Sequence, residues 1–197
     1  MDLIKSKTYI NLAKAFAGEC MDRTRYEYIE YGARQQGYKT LAECIDKIAY
    51  NEFNHSRMLY SFIQTAKPTA IDNIEICSGY PFREKWDLVD NLRLAALDEQ
   101  KEAEEVYPTY AKIARQEGFD DIAGLFENLA TVEKQHQKEL TSLYEQFAGG
   151  TAYKKDKTTS WVCADCGYTA EGKEAFDVCP LCQAKQGAVL LQTASCK

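Results

Sequence analysis

The chain has two histidines, and each stands three residues after a glutamate, as Glu52-x-x-His55 and Glu133-x-x-His136. Side chains three apart project from one face of an α-helix. A carboxylate in such a pair can bridge two cations, and the imidazole supplies a nitrogen to one of them. One pair cannot enclose a metal by itself. Two pairs therefore commit the chain to helices that bring these faces together.

The flanking sequence has the required periodicity. Residues 1–148 carry apolar side chains at three- and four-residue steps, such as Leu12 and Phe16, Leu41, Ile45, Ile48 and Leu59, Leu92, Ala96 and Ala103, and Ile122, Phe126, Leu129 and Leu140. Punctuation divides the segment into four helices. Gly37 ends the first, and Thr40 with Glu43 forms a capping box that opens the second. A polar stretch with Pro68, Gly79 and Pro81 separates the second from the third. Gly118 ends the third, and Asp120 or Asp121 caps the fourth. Pro108 lies inside the third and predicts a kink there, because proline removes one backbone hydrogen bond and crowds the carbonyl of Glu104. The link between helices two and three is much longer than the other two turns. That predicts an all-α, ferritin-like four-helix bundle with one long crossover.

The two helical halves echo each other. Ala33-Arg34-Gln35-Gln36-Gly37-Tyr38 is similar to Ala114-Arg115-Gln116-Glu117-Gly118-Phe119, and fifteen residues beyond each of those glycines lies a glutamate, Glu52 or Glu133. Two further glutamates complete a set. Glu19 lies 33 positions before Glu52, and Glu99 lies 34 before Glu133. All four share a helix face with apolar residues. A carboxylate in a bundle core is costly unless paired or bound to a cation, so four at one level call for a pair of metal ions. Glu102, three residues after Glu99, also points inward at helical spacing; it is either an alternative ligand competing with His55 or a solvated residue in the run with Glu104 and Glu105. Tyr26 and Tyr107 are candidates to hydrogen-bond the ligand carboxylates, or pack as ordinary core tyrosines.

Residues 149–160 are glycine-rich and then polar and basic, and read as a linker. The segment 161–197 is too short to fold on an apolar core alone. It holds Cys163-x-x-Cys166 and, twelve residues on, Cys179-x-x-Cys182. Two such knuckles make a tetrahedral thiolate site, a strong signal for a metal and a weak one for which metal. Zinc is the alternative on the motif alone. A neighbouring two-metal site that must be re-reduced favours iron, since zinc has no accessible redox step. The remaining cysteines, Cys20, Cys44, Cys77 and Cys196, are scattered and read as free thiols.

Bulk properties narrow the function. The net charge is −6, with no basic arm, which argues against nucleic acid as a partner. There is no apolar run of membrane-spanning length and no signal-peptide pattern at the N-terminus, so the expected compartment is the cytoplasm.

Taken together, Glu19, Glu52-x-x-His55, Glu99-x-x-Glu102, Glu133-x-x-His136, Cys163-x-x-Cys166 and Cys179-Pro-x-Cys182 resemble the rubrerythrin family along essentially the whole chain. Tyr26 and Tyr107 fall where that family has site tyrosines. The resemblance implies a ferritin-like bundle followed by a small rubredoxin-like, metal-bound β domain, with two irons in the first and one in the second. It implies a non-haem di-iron peroxidase that reduces hydrogen peroxide to water, fed from NAD(P)H through rubredoxin or a reductase. It further implies Glu52 and Glu133 as bridges, Glu19 and Glu99 as terminal ligands, and exchange of Glu102 with His55 on redox cycling. Homodimers or higher homo-oligomers are implied as well, some with exchanged helices. A ferroxidase or iron-storage protein is the alternative function. Gln183, where a glycine is expected after the second knuckle, departs from the pattern and bears on the potential of the four-cysteine site.

Overall fold

The computed structural model describes residues 2–66 and 87–193. After a short 3-10 turn (Leu3–Lys5), the helices are α1 (Lys7–Gln35), α2 (Lys39–Ala66), α3 (Leu88–Lys101), α4 (Tyr107–Glu117) and α5 (Asp120–Ala148). A π-helical segment, Glu102–Val106, joins α3 to α4. Strands β1 (Lys154–Val162) and β2 (Thr169–Glu174) form an antiparallel pair, followed by a 3-10 turn at Gln186–Ala188. No helix among the described residues is long and apolar enough to cross a membrane. The crossover expected between the second and third helices lies outside the described residues.

Packing groups the described residues into two units. The first contains α1 up to Arg25, α2 from Ile48, and residues Leu97–Gln137. Its buried residues recur at three- and four-residue steps: Leu12 and Glu19 on α1, where Phe16 of the expected stripe is only half-buried and Ala15 is buried beside it; Glu52, His55 and Leu59 on α2; and Phe126, Leu129, Glu133 and His136 on α5. Its apolar core gathers Tyr9, Leu12, Leu59, Ile63, Tyr107, Ala111, Phe126 and Leu129 from all four helical rods. Each Leu, Ile or Phe so enclosed contributes on the order of 1.5–3 kcal/mol. Glu117 closes one end of this unit. Its carboxylate accepts from the Lys7 N–H (3.1 Å), the Thr8 N–H (2.8 Å) and the Thr8 hydroxyl (2.6 Å), serving donors that a helix N-terminus leaves unmatched.

At Pro108 the helix is disturbed but not broken, as expected. The Tyr107 N–H bonds the carbonyl of Glu102 five residues back, so the turn before the proline widens to a π turn and the rod continues. The buried positions 99, 103, 107 and 111 step by four. An α-helix drifts about 40° with each such step. The wide turn takes up that drift.

The second unit contains Tyr26–Lys47, the start of α3, and the chain from Lys138 onward. β1 and β2 pair from Lys154↔Glu174 to Val162↔Thr169, with an irregularity between Lys154 and Thr159. Strand structure thus begins inside the stretch whose composition suggested a linker. A small core of Trp161, Ala175 and Val189 lies beneath, with the Trp161 indole N–H donating to the Gly172 carbonyl (3.0 Å). Thr40 does not form the expected capping box. It lies inside the first turn of α2, and its hydroxyl donates to the Val189 carbonyl (2.7 Å), so burial against the cysteine-bearing segment takes it from the helix end. Gly187 meets the α1–α2 turn so closely that an added Cβ would stand 1.8 Å from the Gly37 carbonyl oxygen. Cys20 is a free thiol as expected, whereas Cys44 is disulfide-bonded.

Candidate metal centre

The register of four rods brings six ligand-type side chains to one place in the first unit. Glu19, Glu52, Glu99 and Glu133 are 1, 1, 2 and 0% exposed, and His55 and His136 are buried with them. They form two overlapping groups, Glu19, Glu52, His55 and Glu133, and Glu52, Glu99, Glu133 and His136, each with ligand atoms within 4.8 Å of one another. Glu52 and Glu133 belong to both.

The distances show how the sharing works. His55 Nδ1 is 2.8 Å from Glu52 Oε2, 3.2 Å from Glu133 Oε1 and 3.3 Å from Glu19 Oε2. His136 Nδ1 is 2.8 Å from Glu133 Oε2, 3.0 Å from Glu52 Oε1 and 3.7 Å from Glu99 Oε1. Each central carboxylate therefore turns one oxygen to each imidazole, and each imidazole has one further carboxylate of its own. Several of these buried atoms, including Glu52 Oε1, both Glu133 oxygens and His136 Nδ1, are close without being aligned as hydrogen bonds. Atoms that converge on a shared centre rather than on each other fit two cations. Two iron ions, held by carboxylate oxygen and imidazole nitrogen, suit this donor set.

The electrostatics agree. Burial lowers the proton affinity of His55, yet the facing carboxylates of Glu133, Glu19 and Glu52 outweigh it and raise the pKa to about 12. His136 is raised in the same way, by Glu133, Glu52 and Glu99 against its burial. Burial would raise Glu52, but the two imidazoles pull it down to about 2. Glu19 and Glu99 are pushed up, first by burial. A potential that holds a proton on imidazole this firmly attracts any cation to the same seat.

Glu102 is not in either group. Its carboxylate lies against α1 instead, 3.6 Å from where a Cβ on Gly18 would stand. Burial, then Asp22 and Glu19, raise its pKa. Tyr107 lies at the other end of the π turn, wholly buried, and its hydroxyl donates to Glu19 Oε1. In an α-helix, residues five apart point about 140° apart. The π turn swings Glu102 and Tyr107 back toward one side, where both meet α1 at residues 18 and 19. Tyr26 is buried two turns beyond Glu19 on the same helix.

Sequence reasoning passed over two neighbours of the site, Asn51 and Asp22. Asn51 Nδ2 is placed 3.1 Å from His136 Nε2, the ring nitrogen turned away from the carboxylates. With Nδ1 as the ligand atom, Nε2 would carry the hydrogen, and the partner it needs would be the Asn51 amide oxygen, reached by turning that amide over. No spacing rule would have pointed to it. Asp22 is buried, bonded by Arg25 at 2.6 Å, and Arg25 also bonds Asp98. Burial and the Asp98 carboxylate push Asp22 up to about 8 against the pull of Arg25. Its position three residues after Glu19 was a usable signal.

The second unit holds the other centre. Sγ of Cys163 is 3.7 Å from that of Cys182, and Sγ of Cys166 is 3.6 Å from that of Cys179. A tetrahedron with metal–sulfur bonds of about 2.3 Å has edges of about 3.8 Å, so the four thiols already have the spacing of such a site. The two knuckles match. Gly167 N–H bonds the Cys163 carbonyl (2.9 Å), and Gln183 N–H bonds that of Cys179 (3.0 Å). Both Gly167 (φ 75°) and Gln183 (φ 63°) are left-handed, so Gln183 takes a conformation that suits glycine. Lys39 on α2 pairs with Asp165, inside the first knuckle.

The comparisons with known proteins agree with this geometry. The family model described as Rubrerythrin matches residues 11–144, and the one described as Rubrerythrin, rubredoxin-like domain matches residues 161–188. The chain is 36% identical to a rubrerythrin of Clostridium perfringens over 90% of each. Among solved structures, nigerythrin in a partially reduced state matches with a TM-score of 0.62 at 24% identity, covering 97% of this chain and 93% of that one. A Desulfovibrio desulfuricans bacterioferritin matches with a TM-score of 0.61 at 21% identity, covering 74% of this chain and 82% of that one. These structural likenesses establish the ferritin-like fold. The chain belongs to the rubrerythrin family, as a di-iron protein that also carries a rubredoxin-like iron domain.

Proposed function

We propose that the protein is a non-haem di-iron peroxidase, reducing hydrogen peroxide to water with electrons drawn from rubredoxin or an NAD(P)H-dependent reductase. The observation that carries this reading is the presence, on one chain, of a two-seat carboxylate site and a four-thiolate tetrahedron. Iron storage needs no attached electron carrier. Peroxide reduction consumes two electrons and two protons, and bound iron supplies the electrons, passed one at a time through the thiolate site.

The protein's own groups do the rest. Glu52 and Glu133 span both seats, Glu19 and His55 complete one, and Glu99 and His136 complete the other. Burial of all six excludes bulk water and fixes their directions. Tyr107 holds Glu19 through its hydroxyl. Tyr26 serves as a second supporting tyrosine. Glu102, inclined by burial to keep its proton, would serve as an alternative to His55 at one iron seat and could hold a proton at its carboxyl oxygen.

Assays with hydrogen peroxide and a reductant, against ferrous iron and dioxygen, test the reading. Reductant-dependent peroxide loss is expected, and Glu102→Ala should slow it while leaving the bundle folded. Uptake of ferrous iron with dioxygen and no reductant-dependent peroxide loss would instead mark a ferroxidase or storage protein.

A further inference from the structure

Gly18 lies in the interior of α1, where glycine weakens a helix, and its backbone is not left-handed. Conformation therefore does not require glycine here, and a Cβ would fit in ordinary contact; a side chain extending beyond Cβ would reach the neighbouring carboxylates. The atoms nearest a Cβ at this position are Glu102 Oε1 at 3.6 Å and Asp22 Oδ2 at 4.0 Å. Glu102 stands here while His55 Nδ1 stands with Glu19, Glu52 and Glu133. The neighbouring residue, Glu19, is gripped by Tyr107 from the far end of the same π turn.

We propose that Gly18 is a positioning residue that leaves a berth on α1 for the Glu102 carboxylate whenever His55 occupies the seat. The proposal deepens the ligand exchange described above and rests on it. Its physical basis is a competition between two places for one carboxylate. An anionic ligand favours the higher-charged, oxidised metal pair over the reduced one. Closing the berth drives Glu102 toward the metal and favours the oxidised state. Strengthening the berth favours the reduced state. The size and polarity of residue 18 thus bias the redox balance without touching a metal.

The sign of this bias can be read directly. The full iron-loaded chain would be titrated with a chemical reductant, following the midpoint of the dinuclear pair by absorbance and by the resonance of its mixed-valent form. Gly18→Val places methyl groups where Glu102 rests, and its midpoint should shift negative. Gly18→Ser places a hydroxyl that can donate to Glu102 in the berth, and its midpoint should shift positive. Gly18→Ala, whose Cβ makes an ordinary contact, should stay near wild type.

In a Glu102→Ala background, the valine and serine changes should have no further effect. Shifts of the same sign for valine and serine, or shifts that persist without Glu102, would overturn the proposal. If Glu102→Ala moves the midpoint and neither Gly18 variant does, the berth is wrong and the exchange survives. If Glu102→Ala also leaves the midpoint unmoved, the exchange fails and the berth fails with it. Should the valine variant not load iron, the serine variant decides by its sign.

Discussion

Tyr107 donates its hydroxyl hydrogen to Oε1 of Glu19, while Oε2 of the same carboxylate faces His55 Nδ1 at 3.3 Å. One acid is thus held from both sides, by a phenol beyond the π turn and by an imidazole on α2. Tyr107→Phe should keep the ring in the core beside Phe126 and leave Glu19 Oε1 without this donor. Loss of a hydrogen bond to a buried charged group costs on the order of 1–3 kcal/mol. Iron should leave that seat about 10–100-fold more readily, the usual scale for loss of a ligand's supporting partner. Chelator competition monitored by absorbance measures this, and wild-type retention would contradict it.

Cys179→Ser tests the relay. A serine hydroxyl does not replace a thiolate at the tetrahedron, so steady-state peroxide reduction should fall to background. A single turnover by a bundle reduced beforehand should be spared. If that single turnover is also lost, the thiolate site does more than return electrons.

Gln183 carries a backbone conformation that L residues adopt at a cost of about 1–2 kcal/mol. Gln183→Gly should therefore stabilise the C-terminal iron domain by about 1 kcal/mol, seen as slower iron loss in denaturant. An unchanged or faster loss would mean that the glutamine side chain contributes contacts that offset the strain.

The Glu117 clamp on the start of α1 predicts a pH dependence. Burial pushes this carboxyl up, but bonds from the Thr8 hydroxyl, the Thr8 N–H and the Lys7 N–H hold it below its usual range. Its folded pKa is thus lower than its unfolded one. The stabilisation is complete above the unfolded value, about 4.3, and is lost as pH falls through the folded value. Glu117→Ala should cost about 1 kcal/mol near neutrality. The difference from wild type should shrink as pH falls below about 4. Paired denaturation curves across pH check both the size and the trend.

Much of this molecule is legible in its residue order because burial follows helical period. Leu12 and Glu19 on α1 and the stripe Phe126, Leu129, Glu133, His136 on α5 put acids among apolar residues, and the structure buries them together. The histidine spacing located the site for the same reason. What stayed hidden depends on departures from regular geometry or on contacts distant in sequence. A proline at position 108 announces a disturbance, but not that the disturbance is a π turn aligning Glu102 with Tyr107. Thr40 has a helix-capping pattern nearby, and only the packed structure reveals its bond to Val189, 149 residues away. Polar composition suggested a linker where β1 begins, because an edge strand of a small two-stranded sheet exposes much of its length.

The most direct test mixes the fully reduced protein, anaerobically, with hydrogen peroxide or with dioxygen in a stopped-flow instrument. The signal is the thiolate-to-iron absorbance of the four-cysteine site. The account predicts that peroxide restores that absorbance far faster than dioxygen does, because electrons leave the thiolate site only after the carboxylate-bound pair has been oxidised by peroxide. An absorbance that returns with dioxygen at least as fast as with peroxide would contradict a peroxidase.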